Sequence, residues 1–391
     1  MSIKSWQKVS LGDIAENINV RENDTQTSDL SRFVGLGHLD SGEVDTTRWG
    51  STKDFKSGKR FQSGDVLLCR RRPYLRKCSA VDFDGVCSGD AYVIREKTDT
   101  PFSGLLKYML NTERFWEYCI TNSDGSLSPR VKWKHLEQYV FEVDIKKLRV
   151  ISPLLGKVTS IKSSYINISK DVNLLLKSFQ NHLIDQMLNS EIPSKIGTLD
   201  DFTIHISHGP FGSNLKSMHY ADEGPRVIRL QNIGTRKFLG DDKAYISDEY
   251  YNSRIMKRYR LEANDIVFAG LGDDSNRIGR SFIVEHNILP AVQASDSICI
   301  RASEQINTQY LMTILNSKYV HRQIKRVSQG STRLRINGKN LKKIKIPLPN
   351  KNTQSFFAST TLLLDSITES AKHQSSINEK LLQYLLATAV R

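Results

Sequence analysis

The chain has 391 residues, enough for two domains with separate cores, and its 39% hydrophobic and 25% charged content is that of an ordinary globular protein. Its 56 Lys and Arg outnumber 42 Asp and Glu, and the net charge of +14 points to a polyanionic partner, most simply nucleic acid. No apolar run reaches the ~20 residues of a membrane span, and the opening Met-Ser-Ile-Lys-Ser-Trp has no signal-peptide core. Five cysteines without a CxxC argue against a disulfide framework or a zinc site, so a reducing cytoplasm is expected.

From about Trp6 to Ile151 the pattern predicts short strands and one helix. Phe61 to Cys69 places a turn before an apolar run, and Val86 to Arg95 is a second strand. Phe102 to Ile120 has helical spacing through Leu105, Leu106, Met109, Leu110, Phe115 and Cys119. A polar loop from Thr121 to Arg130 follows, and Val140–Val143 and Leu148–Ile151 read as closing strands. Pro153 then opens a long helix, since proline is tolerated at a helix start. Its apolar residues Val158, Ile161, Tyr165, Ile168, Val172, Leu175 and Phe179 alternate in steps of three and four, the seam of a coiled coil. Without Gly or Pro from Lys157 to Glu191 such a helix is roughly 50 Å long. Its narrow stripe calls for a partner helix, and Gln354 to the C-terminus supplies one, with Phe357, Leu364, Ile367, Ala371, Ile377, Leu381 and Leu385 as a looser stripe.

The second half repeats the plan of the first. Gly64-Asp65-Val66-Leu67 matches Asn264-Asp265-Ile266-Val267, and Asp90 to Arg95 matches Asp296 to Arg301. Leu110-Asn111 matches Leu315-Asn316, and Gly125-Ser126 matches Gly330-Ser331, each pair of glycine and serine leading into basic residues. The offset is 200 residues between Asp65 and Asp265 and 206 between Asp90 and Asp296, a drift that an insertion in one copy produces. The expected division is 1–152 as a first recognition unit, 153–192 as a first spacer helix, 193–349 as a second recognition unit and 350–391 as a second spacer helix. Two antiparallel helices convert length into spacing, and on DNA two reading heads would sit at least one turn, roughly 34 Å, apart.

Catalytic signatures are sparse. Gly338-Lys339-Asn340 lacks the glycine spacing and hydroxyl of a P-loop, Gly270-Leu-Gly272 runs into Asp273 and Asp274, and no HExxH occurs. His205 and His208 have no third ligand at short spacing, and read more simply as solvated or DNA-facing polar residues. The basic loops carry more. Arg70-Arg71-Arg72-Pro-Tyr74-Leu-Arg76-Lys77 follows a predicted strand, and its counterpart, Gly270 to Arg280, holds Arg277 and Arg280. Arginine forks in a loop reach guanine edges and phosphates. Ser328 to Arg335 mixes amides, hydroxyls and guanidinium groups suited to the phosphate backbone. Gly209 to Lys216 presents Phe211 on a tight turn, and Arg226 to Asn232 is a strand whose ligand-facing side is open. The candidate DNA contacts are Arg70, Arg71, Arg72, Tyr74, Lys77, Ser126, Arg130 and Lys132 in the first unit. In the second they are Phe211, Ser213, Asn214, Lys216, Arg229, Asn232, Arg277, Arg280, Ser331, Arg333 and Arg335.

Several motifs, in this order, resemble the specificity subunit of a type I restriction–modification enzyme. They are Trp6-x-x-Val9-x-Leu11-Gly12-Asp13-Ile14, Gly64-Asp-Val-Leu-Leu-x-Arg70, Gly209-Pro-Phe-Gly-Ser213-x-Leu215, Gly330-Ser331 and Leu341-x-x-Ile344-x-Ile346-Pro347-x-Pro349. The resemblance implies an α+β chain, two similar α/β target-recognition domains separated by two long antiparallel coiled-coil helices that also dock methyltransferase (modification) subunits. It implies no catalytic centre and no cofactor in this chain, which reads a bipartite target in double-stranded DNA. Partner subunits would bring S-adenosylmethionine for methylation, and ATP and Mg for restriction and translocation. Alternatives are the recognition subunit of a type IIB-like enzyme and a self-sufficient DNA-modifying enzyme, with Asp273 and Asp274 as metal candidates. The first unit departs from the family pattern, because Asn17 to Arg32 has no Gly-Pro-Phe-Gly-Ser loop.

Overall fold

Short β-branched and leucine-rich runs become the centres of two sheets in a computed structural model, which describes residues 6–98, 100–211, 214–273, 275–330 and 332–390. The chain divides into two units, Met1–Ile168 with Ser370–Arg391, and Ser169–Glu369. In the first unit the strands are β1 (Trp6–Ser10), β2 (Ala15–Ile18), β3 (Val66–Cys69), β4 (Cys78–Ala80), β5 (Ala91–Glu96) and β6 (Val140–Asp144). An antiparallel sheet runs β2-β5-β3-β4, and β1 pairs with β6 from Trp6 opposite Asp144 to Ser10 opposite Val140. All four residues of β3 are buried, as a run between two neighbouring strands requires.

The second unit repeats this topology. Its strands are β7 (Ser194–Thr198), β8 (Thr203–His208), β9 (Ile266–Ala269), β10 (Ser281–Ile283), β11 (Ser297–Ala302) and β12 (Lys345–Pro349). The sheet order is β8-β11-β9-β10, and β7 pairs with β12. Beside each of these sheets lies another that contains a parallel pair, Phe33 opposite Val86 in the first unit and Val227 opposite Val292 in the second.

Physical reasons for the repeated motifs are now visible. The Asp65 carboxylate is buried, accepts from the Gln62 amide at 2.7 Å and is forked by Arg95 at 2.7 and 2.8 Å. Asp265 accepts from the Glu262 amide at 2.7 Å and is forked by Arg301 at 2.7 and 2.9 Å. A bidentate, charge-assisted pair thus ties the turn before the central strand to the end of its neighbour. Asn111 and Asn316 are buried too. Their amides donate to Cys78 O at 2.9 Å and Ser281 O at 3.0 Å, holding the helical layer to β4 and β10. Reciprocal caps, Ser10 with Asp13 and Thr198 with Asp201, start a short helical turn after β1 and β7.

Two long helices, α1 (Ile145–Leu188) and α2 (Lys351–Ala389), run through both units. In the first unit Leu148, Ile151, Leu155 and Val158 of α1 share a core with Leu382, Leu386 and Ala389 of α2. In the second, Ile184 and Met187 share one with Phe357 and Ala358. The start of one helix thus packs with the end of the other, and the pair is antiparallel.

Two expectations about these helices are corrected. Leu148–Ile151 is not a strand: α1 begins at Ile145 and holds Pro153 in its interior. The start signal is Asp144, whose Oδ1 accepts from the Lys147 amide at 3.1 Å, an N-cap that closes β6 and opens the helix at once. The buried stripe also lies on another face. Ile161, Ile168 and Leu175 are 47%, 41% and 56% exposed, while Leu155, Lys162, Ser169 and Leu176, one heptad apart, are buried. Thr361 and Thr368 of α2 are buried as well, and Gln180 donates to the Thr361 hydroxyl at 3.4 Å. Lys162 reaches Glu43, Glu379 and the Gly42 carbonyl.

Candidate nucleic-acid interface

At the end of the central strand, each unit brings three segments together. The Arg70 amide donates to Asp90 O at 3.0 Å, and Arg70 O accepts from the Val131 amide at 3.0 Å. The Gly270 amide donates to Asp296 O at 2.8 Å, and Gly270 O accepts from the Ile336 amide at 2.9 Å. The strand end, the acidic turn before β5 or β11, and the glycine–serine loop therefore meet in one backbone pattern, built twice. The loop folds back on itself in each unit, as the hairpin of Ser123–Asp124 with Arg130–Val131 and as the bridge of Gln329 with Arg335. Gly330 has φ +102°, and a Cβ there would lie 2.1 Å from the Arg333 carbonyl, so the turn requires glycine.

In the first unit the Asp90 carboxylate collects cations. Oδ1 accepts from Arg70 at 3.2 and 3.3 Å and from Arg130 at 3.3 Å, and Arg71 stands 3.8 Å from Oδ2. Burial alone would push the Asp90 carboxyl up, but the hydrogen bonds from Arg130 and Arg70 hold it below the usual carboxylate value. Arg71 also donates to the Ser128 hydroxyl. Arg72, with φ +55°, and Tyr74 are exposed on the adjoining turn. Ser126 is exposed at the hairpin tip beside Leu127, which is 91% exposed, and Lys132 pairs with Asp124 at 2.7 Å. Lys77 lies apart from this group, its ammonium donating to Leu36 O at 2.6 Å.

In the second unit Arg335 pairs with Asp296 at 2.7 Å. Exposed Arg333 lines a cavity of about 260 Å³ with Leu230, Gln231, Leu271, Gly272, Asp273, Asn276 and Arg280. Arg280 is buried and donates to Arg277 O at 3.0 Å and Asn276 Oδ1 at 3.1 Å; Arg277 donates to Asn316 O at 3.0 Å. Burial pushes both guanidinium groups below their ordinary pKa. Phe211 is exposed next to His208, whose Nε2 accepts from the Gly338 amide at 2.7 Å. Burial lowers the His208 pKa. Asn214 bridges Tyr259 and Tyr250, Lys216 is exposed, and Arg229 forks Asp242.

Asn232 is a correction to the sequence reading. It is fully buried, its Oδ1 accepts from the Arg229 amide and its Nδ2 donates to Leu239 O and Asp242 O, so it builds a turn and faces no ligand. Ser213, Ser331 and Asp274 lie outside the described residues. The structure thus gathers Arg70, Arg71, Arg130 and Lys132 with Ser126 on one loop face, and Arg333 and Arg335 on the equivalent loop, with buried Arg280 lining the cavity beside Arg333. Sequence reasoning missed Asp90 and Asp296 as members of these clusters, although both mark the same step of the repeat.

Among the described residues, no group of three or more His, Cys, Asp or Glu could hold a metal ion. Among the same residues, no helix is long and apolar enough to cross a membrane. The five cysteines are free and buried.

Residues 229–379 match a family model described as the type I restriction modification DNA specificity domain. Over 121 residues, 31% of this chain, the sequence is 30% identical to the type I restriction enzyme EcoDI specificity subunit of Escherichia coli. Over 178 residues, 43% of this chain, it is 23% identical to the MjaVIII specificity subunit of Methanocaldococcus jannaschii. These matches span 26% and 40% of the two relatives' lengths. The fold is similar to that of the type I restriction–modification S subunit from M. genitalium, with a TM-score of 0.54 at 16% identity, over 97% of this chain and 96% of that one.

Proposed function

We propose that this chain, a member of the type I restriction–modification specificity-subunit family, reads a bipartite target in double-stranded DNA, each unit recognising one half-site. The observation that carries this reading is the loop junction built twice, which exposes Arg130 beside half-buried Arg70 and Arg71 in one unit and exposes Arg333 and Arg335 in the other. Guanidinium groups on loops suit both phosphate oxygens and guanine edges, and the net charge of +14 favours the polyanion as a whole.

The chain itself makes and breaks no bond in this reading. Partner subunits do the chemistry: methyltransferase subunits with S-adenosylmethionine, and restriction–translocase subunits with ATP and Mg. Ile161, Leu174, Leu175, Phe356 and Leu363 leave apolar surface exposed on α1 and α2, which suits the docking of methyltransferase subunits. The helices also set the gap between the half-sites.

Binding of the full chain to duplex DNA across a salt series tests the recognition role. A steep linear fall of log K with log salt is expected, as several phosphate contacts require. A flat dependence, or methylation of DNA by the purified chain with S-adenosylmethionine alone, contradicts the reading.

A further inference from the structure

We propose that Asp90 and Asp296 are positioning residues for DNA reading: each holds the arginine beside it, Arg130 or Arg335, in one orientation towards the duplex. The inference rests on the DNA-recognition reading above and adds to it the device that makes the contact selective.

The two acids occupy one station. Each lies at the turn before the fifth strand of its unit, and each accepts on its backbone carbonyl from the residue that follows the central strand, Arg70 or Gly270. Each directs its carboxylate to the arginine that closes the glycine–serine loop. Arg130 Nε is 3.3 Å from Asp90 Oδ1, and an Arg335 terminal nitrogen is 2.7 Å from Asp296 Oδ1. The carboxylate side chains are 22% and 20% exposed, whereas those of Arg130 and Arg335 are 48% and 56% exposed. The acid is thus the inner member of the pair and the guanidinium the outer one.

A carboxylate on a face that meets a polyanion opposes binding, so a face built for affinity alone would omit it. What it supplies is orientation. An arginine on a loop samples many rotamers, while bidentate recognition of a guanine edge or a phosphate needs two parallel N–H groups in a fixed plane. With Nε held by Asp90, both terminal nitrogens of Arg130 remain outside that contact, whereas Asp296 takes one terminal nitrogen of Arg335 and leaves one edge of that guanidinium for a paired contact. The loops around the two stations have diverged: Arg70 and Arg71 add to Asp90 in the first unit, and His208 stands near Asp296 in the second. The acid–arginine pair is common to both, so it belongs to the reading device and not to one target.

The test uses the full chain with Asp90→Asn, Asp296→Asn and Asp90→Glu. It compares affinity for a random-sequence duplex with affinity for duplexes carrying the methylated motif mapped in the host, intact or altered in one half-site, and records the melting temperature of each sample. Removing the acid should tighten random-duplex binding while lowering the preference for the correct half-site by about tenfold or more, with cooperative unfolding retained and the melting temperature only slightly lowered. Asp90→Asn should relax one half-site and Asp296→Asn the other, and Asp90→Glu should retain part of the preference. Asn variants that keep the wild-type preference overturn the proposal, as do variants that lose both affinities along with melting temperature, which marks a merely structural role. A wild-type chain that binds no duplex removes the DNA reading and this inference together.

Discussion

Arg333 and Arg335 stand two residues apart on one loop but in different electrostatic settings. Arg335 is held by Asp296, whereas the side chain of Arg333 makes no hydrogen bond or ion pair to a described residue. Arg333→Ala should therefore weaken binding evenly across sequences and reduce the salt slope by ~1, the signature of one lost phosphate contact. Arg335→Ala should weaken the correct half-site more than a random duplex. Equal effects on both duplexes would place Arg335 on the backbone instead. His208 adds a pH dependence. Its neutral Nε2 accepts from the Gly338 amide, and burial lowers its pKa, with Asp296 acting the other way and Arg335 reinforcing the shift. A histidine with a depressed folded pKa contributes stability that is fully present above the unfolded value, about 6.5, and is lost as pH falls through the folded value. Glutamine keeps an acceptor there without titrating. His208→Gln should thus flatten part of the loss of melting temperature on acidification below pH about 6.5; His321, which burial lowers to about 4, and carboxylates held low by their hydrogen bonds, Asp90 among them, continue to contribute to the rest. A wild-type and a variant profile that run parallel would remove His208 as the cause.

At the scale of elements, the repeat was legible because its motifs are framework. Asp65 with Arg95, Asp265 with Arg301, Asn111 and Asn316 are buried polar groups whose partners are fixed by topology, so the two copies keep the same letters at matching steps. Asp265→Asn should cost about 3 kcal/mol in urea unfolding, at the low end for a broken buried pair because Arg301 keeps solvent and Glu262. A loss below ~1 kcal/mol would mean the pair does little beyond its own desolvation. The long helices were legible in existence and direction, but not in start or face. Asp144 ends a strand and caps a helix, and a capping residue next to a β-pattern reads as either. The seam eluded an apolar count because Lys162, Ser169, Gln180, Thr361 and Thr368 occupy it while Ile161, Ile168 and Leu175 face outward. Gln180→Leu should therefore be tolerated or mildly stabilising, since among the described residues the hydrogen bond that joins it to Thr361 is a long one. A large loss of stability would show that the polar seam sets the register.

For the whole molecule, composition and order said more than any single motif. The charge surplus, two copies of one unit and two long helices are the features that the proposed recognition role uses. The candidate contacts were less legible: Asn232 is buried, Lys77 is committed to a backbone carbonyl, and the acids paired with Arg130 and Arg335 carry the opposite charge to the one sought. Removing seven residues from α1 within Ser160 to Phe179, with a matched heptad from α2, should shorten the unread gap of the target or abolish assembly. An unchanged gap would refute the helices as its ruler. The most direct measurement is single-molecule mapping of methylated adenines in cells that express this chain with a neighbouring methyltransferase gene. A bipartite motif with a fixed unread gap, lost when this chain is deleted, is the expected result. A continuous motif, or methylation that persists without the chain, would contradict recognition by two half-reading units.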